Sequence, residues 1–366
     1  MAMLQKGFCG FIIAVSILIS SCETLKEGFS SLGNSLSSLV NNDNDDSEST
    51  ESSGNRSEPE QVMAIKAKWQ EYKPRITTRI FLEQPNIGSP YRAGRLTPEF
   101  LQNGLNTVNF IRYLAGLSEN TIMTDELNDI GQHGAVLLAK VGHLTHTPSK
   151  PADMDQAFYR IGYQSTTSAN IHQSMGTTMN LSEAVKGWCD DSDESNIDRL
   201  GHRRWILNPA LGKIGFGYAS TGSGQSINSF AAIQVFDKSN TSGPNPDYVL
   251  WPNQGYFPSS FFETTQAWSV SLNPDIFNLS RCNPTVKLTC INDGKEWVFT
   301  GRDKNKTGKY FNIERTGFGM PYCIIFRPDG MPVFLRGKKF KVEIGGLVDK
   351  AGQAQQLVYE VEFFSL

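Results

Sequence analysis

What this 366-residue sequence lacks narrows its reading first. Basic charge is not in excess: 34 Lys and Arg face 37 Asp and Glu, for a net charge of −3. No basic stripe of the kind that follows a phosphate backbone is present, so nucleic acid is excluded as a partner. Its six cysteines include no Cys-x-x-Cys pair of the zinc-ribbon type. No Gly-x-Ser-x-Gly elbow offers a serine nucleophile, and Gly222-Ser223-Gly224 lacks the lysine of a phosphate loop. The apolar run from Gly7 to Ile19 is too short to span a bilayer as a stable helix. Against these absences, 39% apolar and 11% aromatic residues are ample for two buried cores, so two folded domains are expected.

The first sixty residues read as targeting and tether. Lys6 precedes the apolar run, which closes on Ile19-Ser20-Ser21-Cys22. This resembles the lipobox of bacterial lipoproteins, and implies a signal peptide over 1–21 removed before an acylated Cys22. Acyl chains hold a protein at a membrane at about 0.8 kcal/mol per buried CH₂. The membrane is then a partner, and the protein is exported and lipid-anchored to a bacterial membrane, periplasmic or at the cell surface. Residues 22–61 are rich in Ser, Asn, Asp and Glu; seven acids against one arginine fall within 43–60 alone. Such a segment cannot offset its ordering entropy and reads as a flexible tether. An exported chain tolerates disulfides. Of the four cysteines beyond Cys22, three lie late in the sequence, so a bridge among Cys282, Cys290 and Cys323 is expected, with Cys189 free and the pairing open.

Along the remainder, residues 62–245 mix helix and strand signals. Val62–Tyr72 reads as a short helix. Thr97-Pro98 caps a helix carrying Leu101, Leu105, Val108 and Ile111 at helical spacing. Thr124 opens another, with Asp125 and Glu126 at its positive end, closing at Gly142. Asp153 and Gln156 cap a third through Tyr159, and 163–179 reads as a polar loop. Asn180 and Glu183 form a capping box before a helix expected to end near Trp188. Lys213–Tyr218 alternates as a strand whose glycines permit something to approach closely. From 246 to 366 alternating runs and Asn-Asp-Gly turns, with no amphipathic helix, predict an immunoglobulin-like β-sandwich.

The order of Asn106–Arg112, Gly142-His143-Leu144-Thr145-His146, the Trp188 helix, Gly201-His202-Arg203-Arg204-Trp205-Ile206-Leu207-Asn208-Pro209 and Gly215-Phe216-Gly217 resembles the CAP superfamily. This superfamily, also called SCP, unites cysteine-rich secretory, antigen 5 and pathogenesis-related proteins, and the likeness spans roughly residues 95 to 240. It implies an α+β fold in which an α/β/α sandwich precedes the β-domain. The family cleft carries two histidines and two acids, and in some members a divalent metal such as zinc. By position, His146 and His202 are the histidines, and Asp190 or Asp191 the acid after the tryptophan helix. The other acid falls on Ala169, before Asn170, so that carboxylate is missing. Two imidazoles and one carboxylate could hold zinc with an open fourth position, but no obvious general base is left. His143 reads as a surface residue, His133 and His172 get no role, and Trp188 and Trp205 read as core aromatics. The expectation is a cleft that binds a ligand (a lipid, sterol, wall component or host molecule) or a metal, without turnover. A metal-dependent hydrolase is one alternative. The other is a surface adhesion protein acting through its β-domain and the Trp251–Pro258 stretch.

Overall fold

Capping chemistry sets four helices of the first half. The structure, a computed structural model, describes residues 58–241, 243 and 245–366; the signal segment, Cys22 and most of the tether lie outside them. α1 (Glu60–Tyr72) leads to a two-stranded ribbon, β1 (Phe81–Glu83) and β2 (Arg95–Leu96). α2 (Pro98–Leu114) starts with proline at its first position, and the Thr97 hydroxyl accepts from Phe100 N. After β3 (Ile122–Met123), α3 (Asp125–Val141) is capped by Thr124 and ends at Gly142, whose φ of +84° only glycine adopts without strain.

The next two elements correct the sequence reading. α4 runs Gln156–Thr167 rather than stopping at Tyr159, and its cap is Asp155, which accepts from Phe158 N at 2.8 Å. Asp153 instead receives Tyr91 and Lys140. The expected loop beyond it is the strand β4 (Ala169–Met175). Partners drawn from 228–234 override the polar composition of this stretch. α5 (Leu181–Asp190) carries the Asn180/Glu183 capping box and continues to Asp190. α6 (Gly201–Ile206), β5 (Lys213–Thr221) and β6 (Asn228–Gln234) complete this part.

The sheet order is β3-β5-β6-β4, antiparallel except for the short β3 pairing. β5 shows how the layers arise. Ile214, Phe216 and Tyr218 point into a core with Phe100, Val108 and Ile111 of α2 and Leu181 and Val185 of α5. Ala219 joins the opposite core, with Val136–Ala139 of α3 and Phe158 of α4. The expected α/β/α sandwich therefore forms. The partner that Gly215 and Gly217 admit is α3: a methyl on either would overlap the backbone of Leu127–Asn128 or Gly131–Gln132.

The second half is all strand: β7 (Tyr248–Trp251), β8 (Gly255–Pro258), β9 (Trp268–Leu272), β10 (Thr285–Cys290), β11 (Glu296–Phe299), β12 (Tyr310–Phe318), β13 (Met320–Arg327), β14 (Lys339–Val348) and β15 (Ala354–Phe364). They form sheets of order β11-β10-β14-β15-β8 and β12-β13-β9-β7, the expected β-sandwich. Trp268, Val270, Ile324 and Phe326 of one sheet meet Leu288, Phe340, Val342 and Phe363 of the other. This core is continuous with the α2/α5 side of the first half, and the described residues form one compact unit. Trp69, Phe110 and Phe261 mark the junction with ring centroids 5.1–5.5 Å apart. Trp251 and Phe257 are buried there and offer no adhesive surface.

The expected bridge is not formed. Cys189, Cys282, Cys290 and Cys323 are all buried free thiols. Cys282, just before β10, and Cys290 belong to the sandwich core, whereas alternation along β13 turns Cys323 to the other face, against Ile197 and Leu200.

Candidate functional site

The site begins where α5 ends. Asp191 stops the helix with a φ of 50°, a left-handed conformation that aspartate tolerates better than most residues. That turn directs its carboxylate back towards the start of α6. There Oδ2 accepts from the backbone N–H groups of His202 (2.9 Å) and Arg203 (3.3 Å), and Oδ1 accepts from His202 Nδ1 at 2.7 Å. The carboxyl is fully buried and all its contacts are internal. Burial pushes its pKa up, while the His202 hydrogen bond and Arg203 pull it back.

A carboxylate acceptor fixes the proton of His202 on Nδ1, which leaves Nε2 as its free ring nitrogen. His146 reaches the same state from the other wall. Its Nδ1 lies 2.7 Å from the Thr166 carbonyl, so that nitrogen must donate, and the Thr166 hydroxyl donates to the His146 carbonyl in return. Asn170 Nδ2 donates to the His202 carbonyl, tying β4 to α6.

Both imidazoles open on one cleft of about 440 Å³. Its walls are Leu144–His146, the 171–173 segment of β4, Gly187, Trp188 and Asp191, the loop through Asp193, Ser195, Asn196 and Arg199, and His202. His172, assigned no role by the sequence, is a third imidazole here. It lies across Gly187, where an added Cβ would sit 2.9 Å from its Cε1, and meets Trp188 edge-on at 6.2 Å. Burial first, and the neighbouring His202 second, lower its pKa and keep it neutral. Period-two reading from Asn170 would have found it, had the stretch been read as a strand.

The structure thus brings His146, His202 and Asp191 together and does not bring Asp190 with them. Asp190 lines a separate crevice on the other side of α5, where its Oδ1 is buried without a partner. Arg203 and Arg204 form no ion pair with either acid. Arg203 instead donates to the carbonyls of Cys189, Asp190 and Ala267, and Arg204 to those of Arg199, Thr316 and Met320. The Trp188 indole N–H is buried and unpaired. Trp205 packs on Phe236 at a tilt, ring centroids 4.2 Å apart, and His143 is exposed.

The donor set fits a resident zinc poorly. A carbonyl-anchored and a carboxylate-anchored imidazole are the second-shell arrangements that metal-binding histidines use. However, both oxygens of Asp191 are already committed. Among the described residues no three His, Cys, Asp or Glu side chains lie close enough to hold an ion. The arrangement can offer up to three imidazole nitrogens and several hydrogen-bonding groups to a ligand, with one rigid Asp–His pair at its centre.

Residues 105–236 match the model of the CAP family, described as the cysteine-rich secretory protein family. No curated protein shows significant similarity to the chain.

Proposed function

We infer that this chain, whose residues 105–236 are a CAP-family domain, is an exported, lipid-anchored protein that binds a ligand in the histidine-lined cleft without chemical turnover. The observation that carries this reading is the state of Asp191. It is the buried acid of the cleft, and both its oxygens are spent on His202 and Arg203. Ala169 stands where a second carboxylate would be required, and it packs into the core beside α3. A carboxyl held in this way orients an imidazole rather than taking a proton from water. The cleft favours a ligand with a hydrogen-bond donor for the Nε2 atoms and an acceptor for Arg199, such as a wall component, a lipid head group or a host molecule. The anchor rests on the Cys22 signal alone.

A hydrolase reading is kept alive by the same pair, because a buried Asp–His couple is also how a general base is oriented. If His202 activates water, purified full-length protein cleaves peptide or wall substrates, and His202→Ala abolishes cleavage while the fold survives. The binding reading predicts no cleavage by either protein. Calorimetry with zinc chloride separates the metal alternative: binding lost in both His146→Ala and His202→Ala would support it.

A further inference from the structure

The surface of α5 that faces away from the cleft, together with the segment between β8 and β9, walls a second crevice of about 190 Å³. Asp190, Lys186, Trp251, Phe261, Glu263 and Gln266 contribute to it. Three of its polar atoms are unfilled. Asp190 Oδ1 and Gln266 Oε1 are buried acceptors with no donor, and the Trp251 indole N–H is a buried donor with no acceptor. Gln266 is 8% exposed and Trp251 1%, while Asp190 is half-buried with its Oδ1 shut from solvent. The Lys186 ammonium sits over aromatic faces rather than on a carboxylate, 4.3 Å from the Phe261 centroid and 6.0 Å from that of Trp69. Burial lowers its pKa, which Glu183 and Glu263 partly oppose. Glu263 stands exposed at the rim.

These four unfilled functions describe a complement. Two acceptors, one of them anionic, require a cationic N–H donor. An indole N–H and an unpaired ammonium require an anionic acceptor. A single small molecule meets both demands if it carries the two charges a short distance apart. We propose that this crevice binds a small zwitterion of the α-amino acid class, its ammonium on Asp190 and Gln266 and its carboxylate on Lys186 and Trp251. A crevice of this volume admits one short amino acid. Gly187 lines this crevice as well as the cleft, so an occupant would press on the same helix turn that supports His172.

The test is calorimetry on the full-length protein with L-alanine, and with ethylamine and propionate as its two halves. One L-alanine is expected to bind per chain, with each half at least tenfold weaker, a difference of about 1.4 kcal/mol or more. Gln266→Leu and Lys186→Met should each weaken alanine at least tenfold. Asp190→Asn, which keeps the shape of the side chain and removes its charge, covers the case in which a variant of a more buried residue fails to fold, and should weaken it measurably. No alanine heat from folded protein overturns the proposal. So does ethylamine binding as tightly as alanine, or alanine binding that none of the three substitutions weakens.

Discussion

Asp191 shows how one side chain can define the cleft without entering it. Its two oxygens satisfy two backbone N–H groups and one imidazole, so Asp191→Ala leaves three donors unpaired in a buried place. The expected loss is about 3 kcal/mol, since each stranded buried group costs roughly 1–3 kcal/mol and relaxation recovers part of the sum. Denaturant unfolding with an unchanged m-value would show it. His172 supplies a pH signature. Its pKa is lowered from 6.5 by burial and by His202, so the unfolded chain takes up that proton at a higher pH than the folded one. Stability is therefore intact above about pH 6.5 and declines as the pH falls from there towards the folded pKa, below which the loss is complete. The charged and titratable groups that line the same cleft are His146, Asp191, Asp193, Arg199 and His202. Thermal unfolding between pH 5 and 7 should show a slope that His172→Gln flattens.

At the scale of elements, the contact between α3 and β5 is the most sharply specified. A Cβ on Gly217 would overlap the Gly131 carbonyl, with backbone on both sides and nothing free to move. Gly217→Ala is expected to destabilise by about 3 kcal/mol through overpacking, whereas Gly142→Asn, at a helix end with open space around it, should cost under about 1 kcal/mol. Comparing the two midpoints in urea tests the assignment. Much here was legible beforehand. The Thr97, Thr124 and Asn180 caps, the Gly142 stop and the glycines of β5 all act as local chemistry predicts. β4 was not, because Ser168–Met175 is polar and its strand state comes from pairing with residues sixty positions away. That one error hid His172. The direction of Asp190 was equally illegible: consecutive helical residues point about 100° apart, and which one meets His202 depends on the left-handed turn at 191.

Considered whole, the molecule is riveted at its middle by arginines that bond backbone carbonyls. Arg203 and Arg204 reach Ala267, Thr316 and Met320 of the sandwich half, and Arg327 returns to the Ser192 carbonyl. These contacts begin one residue from His202, so the sandwich braces the cleft. Arg203→Met, which keeps the stem but strands several carbonyls, should cost about 3 kcal/mol and lower ligand affinity with it. A fragment ending at residue 245 would expose the Trp69, Phe110 and Val108 side of the shared core. It is expected to aggregate or to lose near-UV dichroism, where an independent first half would stay folded and monomeric. Thiol titration checks the rest of the interior: Cys189, Cys282, Cys290 and Cys323 should be silent in the native protein and all react in denaturant without reductant. Burial holds the Cys189 thiol up at about 12.

The most direct measurement is mass spectrometry of what the full-length protein retains and what it releases. Wild-type protein, His202→Ala and the combined His146→Ala, His172→Ala, His202→Ala variant are incubated with cell-envelope extract. Binding without turnover predicts a co-purifying molecule that the triple variant loses, and no new soluble product from any of the three. A product made by the wild type and missing with His202→Ala would contradict it.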